Sequence, residues 1–209
     1  MPPMSEGSRR YAGRSAAERA AERRDRLVTA AVRVLGERGE SAVTVRAVCA
    51  EAGLTERYFY EAFPSRDDAL LAALDLATAR VAEVAVAAFE AAGSSGGDAE
   101  QRVGAGLAAV VDLVADEPAL GRVILLESAA SPALRERRAD VRRRLGELVV
   151  AQAAAVYPGP PPDDAALRGA VYVAGVGELL ADWLTGRVEA DRARLVATAG
   201  RLFAAVLRG

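Results

Sequence analysis

Between Thr44 and Pro64 the chain writes two helix starts, one glycine bend and one stop. Thr44 is placed to N-cap a short helix running to about Ala52, Gly53 and Leu54 make a tight turn, and Thr55 opens a second short helix through Phe63, which Pro64 ends. Two short helices joined in this way and packed on an amphipathic helix form a helix-turn-helix. Such a unit can send the first side chains of its second helix into a DNA major groove about 12 Å wide. The supporting helix is legible upstream. Leu27, Ala30, Ala31, Val34 and Leu35 fall at i, i+3, i+4, i+7 and i+8, Gly39 is the expected stop, and Ser15 with Glu18 reads as a capping box at the start.

The same periodicity continues downstream. Ser65 with Asp68 reads as a second capping box, followed by Leu70, Leu71, Leu74, Val81, Val84 and Ala88 on helical spacing toward Ala92. Gly93 to Gly97 reads as a flexible loop. Five more helical segments are expected at 98–116, 118–129, 132–156, 164–185 and 189–208, with Ser131 and Pro132 as N-cap and first helical residue. Tyr157 to Pro162 should be a rigid turn, and Thr185 with Gly186 a helix stop. No stretch alternates with period two. The expected fold is all α, about nine helices: a loose arm at 1–14, a helix-turn-helix domain at 15–65, and a larger helical domain at 66–209.

Composition removes much chemistry. The 27 basic residues are all arginines, histidine is absent, and Cys49 is the sole thiol. No imidazole can relay protons or bind metal, no lysine can form a Schiff base, and one cysteine builds neither a disulfide nor a thiolate zinc site. Catalytic residues, metal ligands and cofactors are therefore expected to be absent. Only a carboxylate pair, such as Glu127 with Glu178, would leave room for an enzyme. The longest uncharged run, Leu148 to Pro162, is too short and proline-rich for a membrane span, which needs about 20 residues. No apolar signal segment follows Arg9 and Arg10, so a cytoplasmic protein is expected.

The net charge of −2 argues little for nucleic acid. Its distribution argues more, because residues 1–26 carry seven arginines against four carboxylates. Arg9, Arg10 and Arg14 suit a flexible arm entering a minor groove and equally suit plain disorder. The cluster Arg135, Arg137, Arg138, Arg142, Arg143 and Arg144 is interspersed with Glu136, Asp140 and Glu147, and reads as a solvated helix face. Cys49 reads as a small core residue.

The stretch VTVRAVCAEAGLTERYFYEAFPSRDDALLAAL, Val43 to Leu74, resembles the DNA-binding region of the TetR family of bacterial transcriptional regulators. Thr44, Gly53, Thr55, Phe59, Tyr60, Phe63, Arg66 and Leu70 stand where that family has threonine, the turn glycine, Ser/Thr, an apolar residue, tyrosine, phenylalanine, a basic residue and leucine. The resemblance implies phosphate contacts by Thr44, Thr55, Tyr60 and Arg66. Arg46, Glu56, Arg57 and Tyr58 project from the two helix N-terminal turns and are the candidates for base contacts, each good bidentate pair contributing about 1–3 kcal/mol of discrimination. Phe59 and Phe63 belong to the core even on this reading. Arg57 and Tyr58 are larger than the small residues frequent in the family, and Glu61 with Ala62 replaces its usual pair before Phe63, so operator sequence does not carry over.

In the C-terminal part, the run from Ala170 to Gly177 is apolar on more than one side, and a helix of that kind needs two partners. The resemblance implies a four-helix dimer interface from the last two helices, with Val173, Gly175, Val176, Leu195, Ala199, Leu202 and Phe203 as candidates. A twofold homodimer would set two recognition helices about 34–36 Å apart on a near-palindromic operator of double-stranded DNA. The middle helices would enclose an effector pocket, with Leu107, Val111, Val123, Leu126, Tyr172 and Trp183 as candidate lining and each equally credible as core. The expectation is a ligand-responsive repressor released by a small apolar effector. The alternative is a helical small-molecule or protein-binding module without DNA binding.

Overall fold

Ser15 accepts the backbone N–H of Glu18 at 3.1 Å, and the Glu18 carboxylate accepts the backbone N–H of Ser15 at 2.5 Å. This capping box opens α1, Ala16–Arg38, and contributes about 1 kcal/mol by satisfying two amides that have no intrahelical partner. The computed structural model describes residues 15–125 and 132–208, except for the side chain at 133. The expected arm at 1–14, with Arg9, Arg10 and Arg14, lies outside the described residues, as do Leu126, Glu127 and Ser131.

Among the described residues the fold is all helical. After α1 come a 3-10 turn at Glu40–Ala42, then α2 (Val45–Ala52), α3 (Glu56–Ala62), α4 (Arg66–Ser94), α5 (Ala99–Asp116), α6 (Pro118–Leu125), α7 (Pro132–Val156), α8 (Ala165–Leu184) and α9 (Arg192–Leu207). Boundaries differ from the sequence expectation most at α4 and α9, and the expected end of the 118–129 segment lies outside the described residues. The α4 helix continues through Gly93 to Ser94, and α9 begins only at Arg192, because Asp191 accepts the Arg194 amide at 2.7 Å and caps the helix there. Ser65 accepts the Asp68 amide as expected, whereas the Asp68 carboxylate takes the Ser65 hydroxyl at 2.6 Å, so the expected box closes on one side only.

The N-terminal helix-turn-helix domain and the helical C-terminal domain share α4. One apolar cluster runs from Leu27, Leu35, Val48, Phe59 and Phe63 through Leu70 and Leu74 to Val123, Leu134 and Val141. The C-terminal helices pair α4 with α5, α7 with α8 and α5 with α9, while α6 lies against α1. A second cluster joins Phe89, Val103, Ala153, Tyr172, Phe203 and Leu207, and a third joins Val111, Leu180 and Leu195. No helix among the described residues is long and apolar enough to cross a membrane.

Candidate nucleic-acid interface and its attached cavity

The bend that aims α3 is built by Gly53 and held from below by α1. Gly53 takes φ 62°, a left-handed conformation that costs an L side chain about 1–2 kcal/mol, and Leu54 N–H closes the turn on Cys49 C=O at 2.9 Å. Arg26 of α1 donates Nη2–H to the Ala52 carbonyl at 2.6 Å, so one of the last carbonyls of α2 is paired beside the bend. Phe59 and Phe63 are buried with ring centroids 5.5 Å apart. Burying each contributes roughly 1.5–3 kcal/mol and decides which way the helix faces. The outward face follows from that anchoring: Glu56, Arg57, Tyr60 and Glu61 are exposed, Tyr60 by 59%.

The expected phosphate-contacting residues have different surroundings. Thr44 Oγ1 accepts the Ala47 amide at 3.1 Å, so its hydroxyl hydrogen is left to donate outward. Thr55 sits at the N-cap of α3 without making a side-chain capping bond, and it is exposed. Arg66 is turned toward the protein: Nε–H donates to Val43 C=O at 2.5 Å and Nη2–H to Glu40 C=O at 2.6 Å, with the Glu40 carboxylate 3.7 Å away. It therefore clamps the chain entering α2, a structural role in addition to the one the resemblance implies.

Among the expected base readers, Arg46 and Glu56 are exposed. Arg57 Nε donates to Glu61 at 3.0 Å, and Arg23 lies 3.8 Å from the same carboxylate and 4.5 Å above the Tyr58 ring. Arg57 is thus engaged by a surface ion pair of the kind worth about 0–1 kcal/mol, which a base edge can displace. Tyr58 is half-buried beneath Arg23. Sequence reasoning passed over Arg23 and Arg26; their spacing to α2 and α3 exists only once α1 crosses both. Cys49 is buried, and desolvation, with Glu56 adding, pushes its thiol above the ordinary range, as suits a small core residue.

A cavity of about 610 Å³ lies beyond α4, within the usual size range of small-molecule sites. Leu74, Val81 and Phe89 of α4 reach it, as do Ile124 and Leu125 of α6. Of the expected lining, Leu107 and Tyr172 border the cavity. Tyr172 donates its hydroxyl to Ala199 C=O at 3.2 Å, and burial, with Tyr157 nearby, pushes its phenol well above the ordinary tyrosine value. Val111 is buried in the third cluster and Val123 in the first, while Trp183 packs on the third and donates its indole N–H to Ala190 C=O at 2.9 Å. The cavity also meets residues read earlier as a solvated face: Arg135, Arg138 and Arg142, on one stripe of α7 with Leu145, Val149 and Gln152. The Gln152 amide nitrogen is buried without a hydrogen-bond partner. The spacing of that stripe is visible in sequence; what it faces is not. No group of histidine, cysteine and carboxylate side chains arranged to hold a metal occurs among the described residues.

On the last two helices, Leu195, Ala199 and Phe203 are buried within the chain itself, and Val173 and Val176 are partly buried and line the cavity. Gly175 is exposed with open space around it. Leu202 is 46% exposed, alongside Leu167 at 71% and Val171 at 67%, two residues that sequence reasoning did not select.

Residues 27–74 match the family model described as bacterial regulatory proteins, tetR family. No curated protein sequence matches the chain. Solved structures with the same fold include the fatty acid degradation regulator FadR from Bacillus halodurans, at 21% identity and a TM-score of 0.69, covering 87% of this chain and 94% of that one. FadR from Bacillus subtilis, solved in complex with stearoyl-CoA, gives 17% identity, a TM-score of 0.69 and coverages of 86% and 96%. A TetR-family member from Streptomyces coelicolor A3 gives 26% identity, a TM-score of 0.64 and coverages of 87% and 98%.

Proposed function

We propose that the chain, whose residues 27–74 match the N-terminal domain of the TetR family, is a transcriptional repressor. It binds a near-palindromic operator as a homodimer and leaves it when a small molecule fills the α4–α7 cavity. The observation that carries the DNA-binding half is the presentation of α3. Phe59 and Phe63 are sunk in the core while Tyr60, Arg57 and Glu56 stand outward on a short helix aimed by Gly53. Thr44, Thr55 and Tyr60 supply hydroxyls to phosphates, and Arg46, Glu56, Arg57 and Tyr58 face the base edges. Arg66 steadies the entry to α2 and has further N–H groups for the nucleic-acid backbone.

The exposed apolar side chains of Leu167, Val171 and Leu202 support dimerisation through α8 and α9. Leu195, Ala199 and Phe203 are buried within the chain and act from behind, holding α9 in place. The link to the effector runs through two packed elements. The α4 helix spans from the recognition unit to the cavity and is joined to α7 by Asp75 and Arg137 at 3.5 Å, and α6 lines the cavity while lying on α1. A coupling of about 1–3 kcal/mol between ligand and DNA suffices for such a switch and must be reciprocal.

Gel shifts with fragments selected from genomic DNA test the reading. A twofold-symmetric enriched site, with log affinity falling linearly against log salt, is expected. Tyr60→Phe should weaken it about tenfold or more, the loss of one charge-assisted hydrogen bond to a phosphate. Indifference to duplexes at low salt favours the module without DNA binding, on which reading α3 is only a surface helix.

A further inference from the structure

We propose that the ligand of the cavity is an amphiphilic anion, a long apolar chain lying along α7 with its anionic group held between Arg138 and Arg142. The proposal rests on the regulator reading above and replaces the apolar effector expected from the sequence with a charged one. Most of the lining is aliphatic or aromatic, yet its charged residues among those described are three arginines, at 135, 138 and 142, and a single carboxylate, Glu178. Arg135, Arg142 and Glu178 are exposed and Arg138 is half-buried, so charge collects where the cavity wall reaches solvent.

Arg142 makes no hydrogen bond or ion pair among the described residues, and it stands one helical turn after Arg138. Like charges at that spacing repel. The strain registers on Arg138, whose pKa is lowered by burial first and by Arg142 second, with Glu178 opposing. An anion between the two guanidiniums turns the repulsion into two charge-assisted contacts, and the planar fork of N–H groups suits a carboxylate or phosphate. Arg138 already donates Nη2–H to the Leu125 carbonyl at 2.7 Å and has further N–H groups for the ligand. A cation would meet the same positive rim, and a neutral hydrocarbon would leave it unrelieved.

Behind the pair, Leu145, Leu148 and Val149 continue the wall to Gln152, roughly 15 Å from Arg142 at the rise of an α-helix. A wall of that length accommodates an extended chain. The anionic group also meets the residue that holds the end of α6, the helix packed on α1, so its chemistry reaches the DNA-binding unit.

Calorimetric titration of the full chain with hexadecanoate, hexadecyl phosphate, hexadecan-1-ol and hexadecyltrimethylammonium tests this. At least one of the two anions should bind about tenfold tighter than the alcohol, the worth of one charge-assisted hydrogen bond, and the ammonium should bind worse than the alcohol. Whichever anion binds better identifies the group as carboxylate or phosphate. Arg142→Glu, at an exposed position without bonded partners among the described residues, should cost the anion about tenfold or more and change the alcohol far less. Equal affinity for alcohol and anions, or an Arg142→Glu protein that binds anions as well as the parent, overturns the proposal. Duplex affinity of the ligand-free protein is measured beside it. Anion binding without DNA binding sinks the repressor reading alone, and DNA binding without anion preference sinks this one alone.

Discussion

A methyl group on Gly36 would run into the carbonyl of Ala119, so α1 and α6 meet backbone to backbone. The contact joins the helix that supports the helix-turn-helix to the helix whose last residues, Ile124 and Leu125, line the cavity. An interface this tight responds to displacement by repacking, because interiors near close packing have little free volume.

Gly36→Ala is accordingly expected to destabilise the protein by about 1–3 kcal/mol, the usual cost of overpacking. It should also weaken the coupling between ligand and DNA, since α6 must stand off from α1. Urea denaturation reads the first effect and duplex affinity with and without ligand the second. An unchanged midpoint would show that the two backbones are not in contact in solution.

Gly53→Ala acts at the bend itself. The left-handed φ of 62° costs alanine about 1–2 kcal/mol, and the new Cβ stands 3.3 Å from the Arg26 guanidinium that pairs Ala52. Loss of stability of that size is expected together with weaker duplex binding, because α3 depends on this bend for its direction. Full DNA affinity in a destabilised variant would separate the bend from recognition.

Val171→Glu tests the exposed apolar strip. Val171 is 67% exposed, so the substitution should change the stability of the single chain by no more than about 0.5 kcal/mol. Sedimentation should show a dimer for the parent and a monomer for the variant, since the charge would be buried without a partner on association. A variant that remains dimeric places the interface elsewhere.

Tyr172 predicts an alkaline limit. Its folded pKa is raised by burial, so above the ordinary tyrosine value of about 10 the unfolded chain releases a proton that the native chain retains. The unfolded state then binds fewer protons, and stability falls as pH rises through that range. Tyr172→Phe should lose about 1 kcal/mol at neutral pH with the hydrogen bond to Ala199, and show a shallower decline above pH of about 10. Parallel slopes for parent and variant would show the phenol to be unperturbed.

The helices and the helix-turn-helix were legible from local chemistry. Ser15 with Glu18, Thr44, the Gly53 bend, and Phe59 with Phe63 act within a few residues of one another, so spacing alone determined their geometry. The breaks in the pattern were local too: Gly93 was absorbed into α4, and Asp191 caught the start of α9. Which stripe of a long helix faces which neighbour is a different kind of fact. Arg135 and Arg142 are exposed, as a solvated face requires, and only the closing of α4, α5 and α8 around the stripe they begin sets them with Arg138 at the mouth of a cavity, while Leu195, Ala199 and Phe203 look free for a partner until α9 packs on its own chain. Periodicity supplies the stripe, but burial depends on elements distant in sequence, and only the tertiary fold decided where the cavity would open and which apolar residues would remain outside.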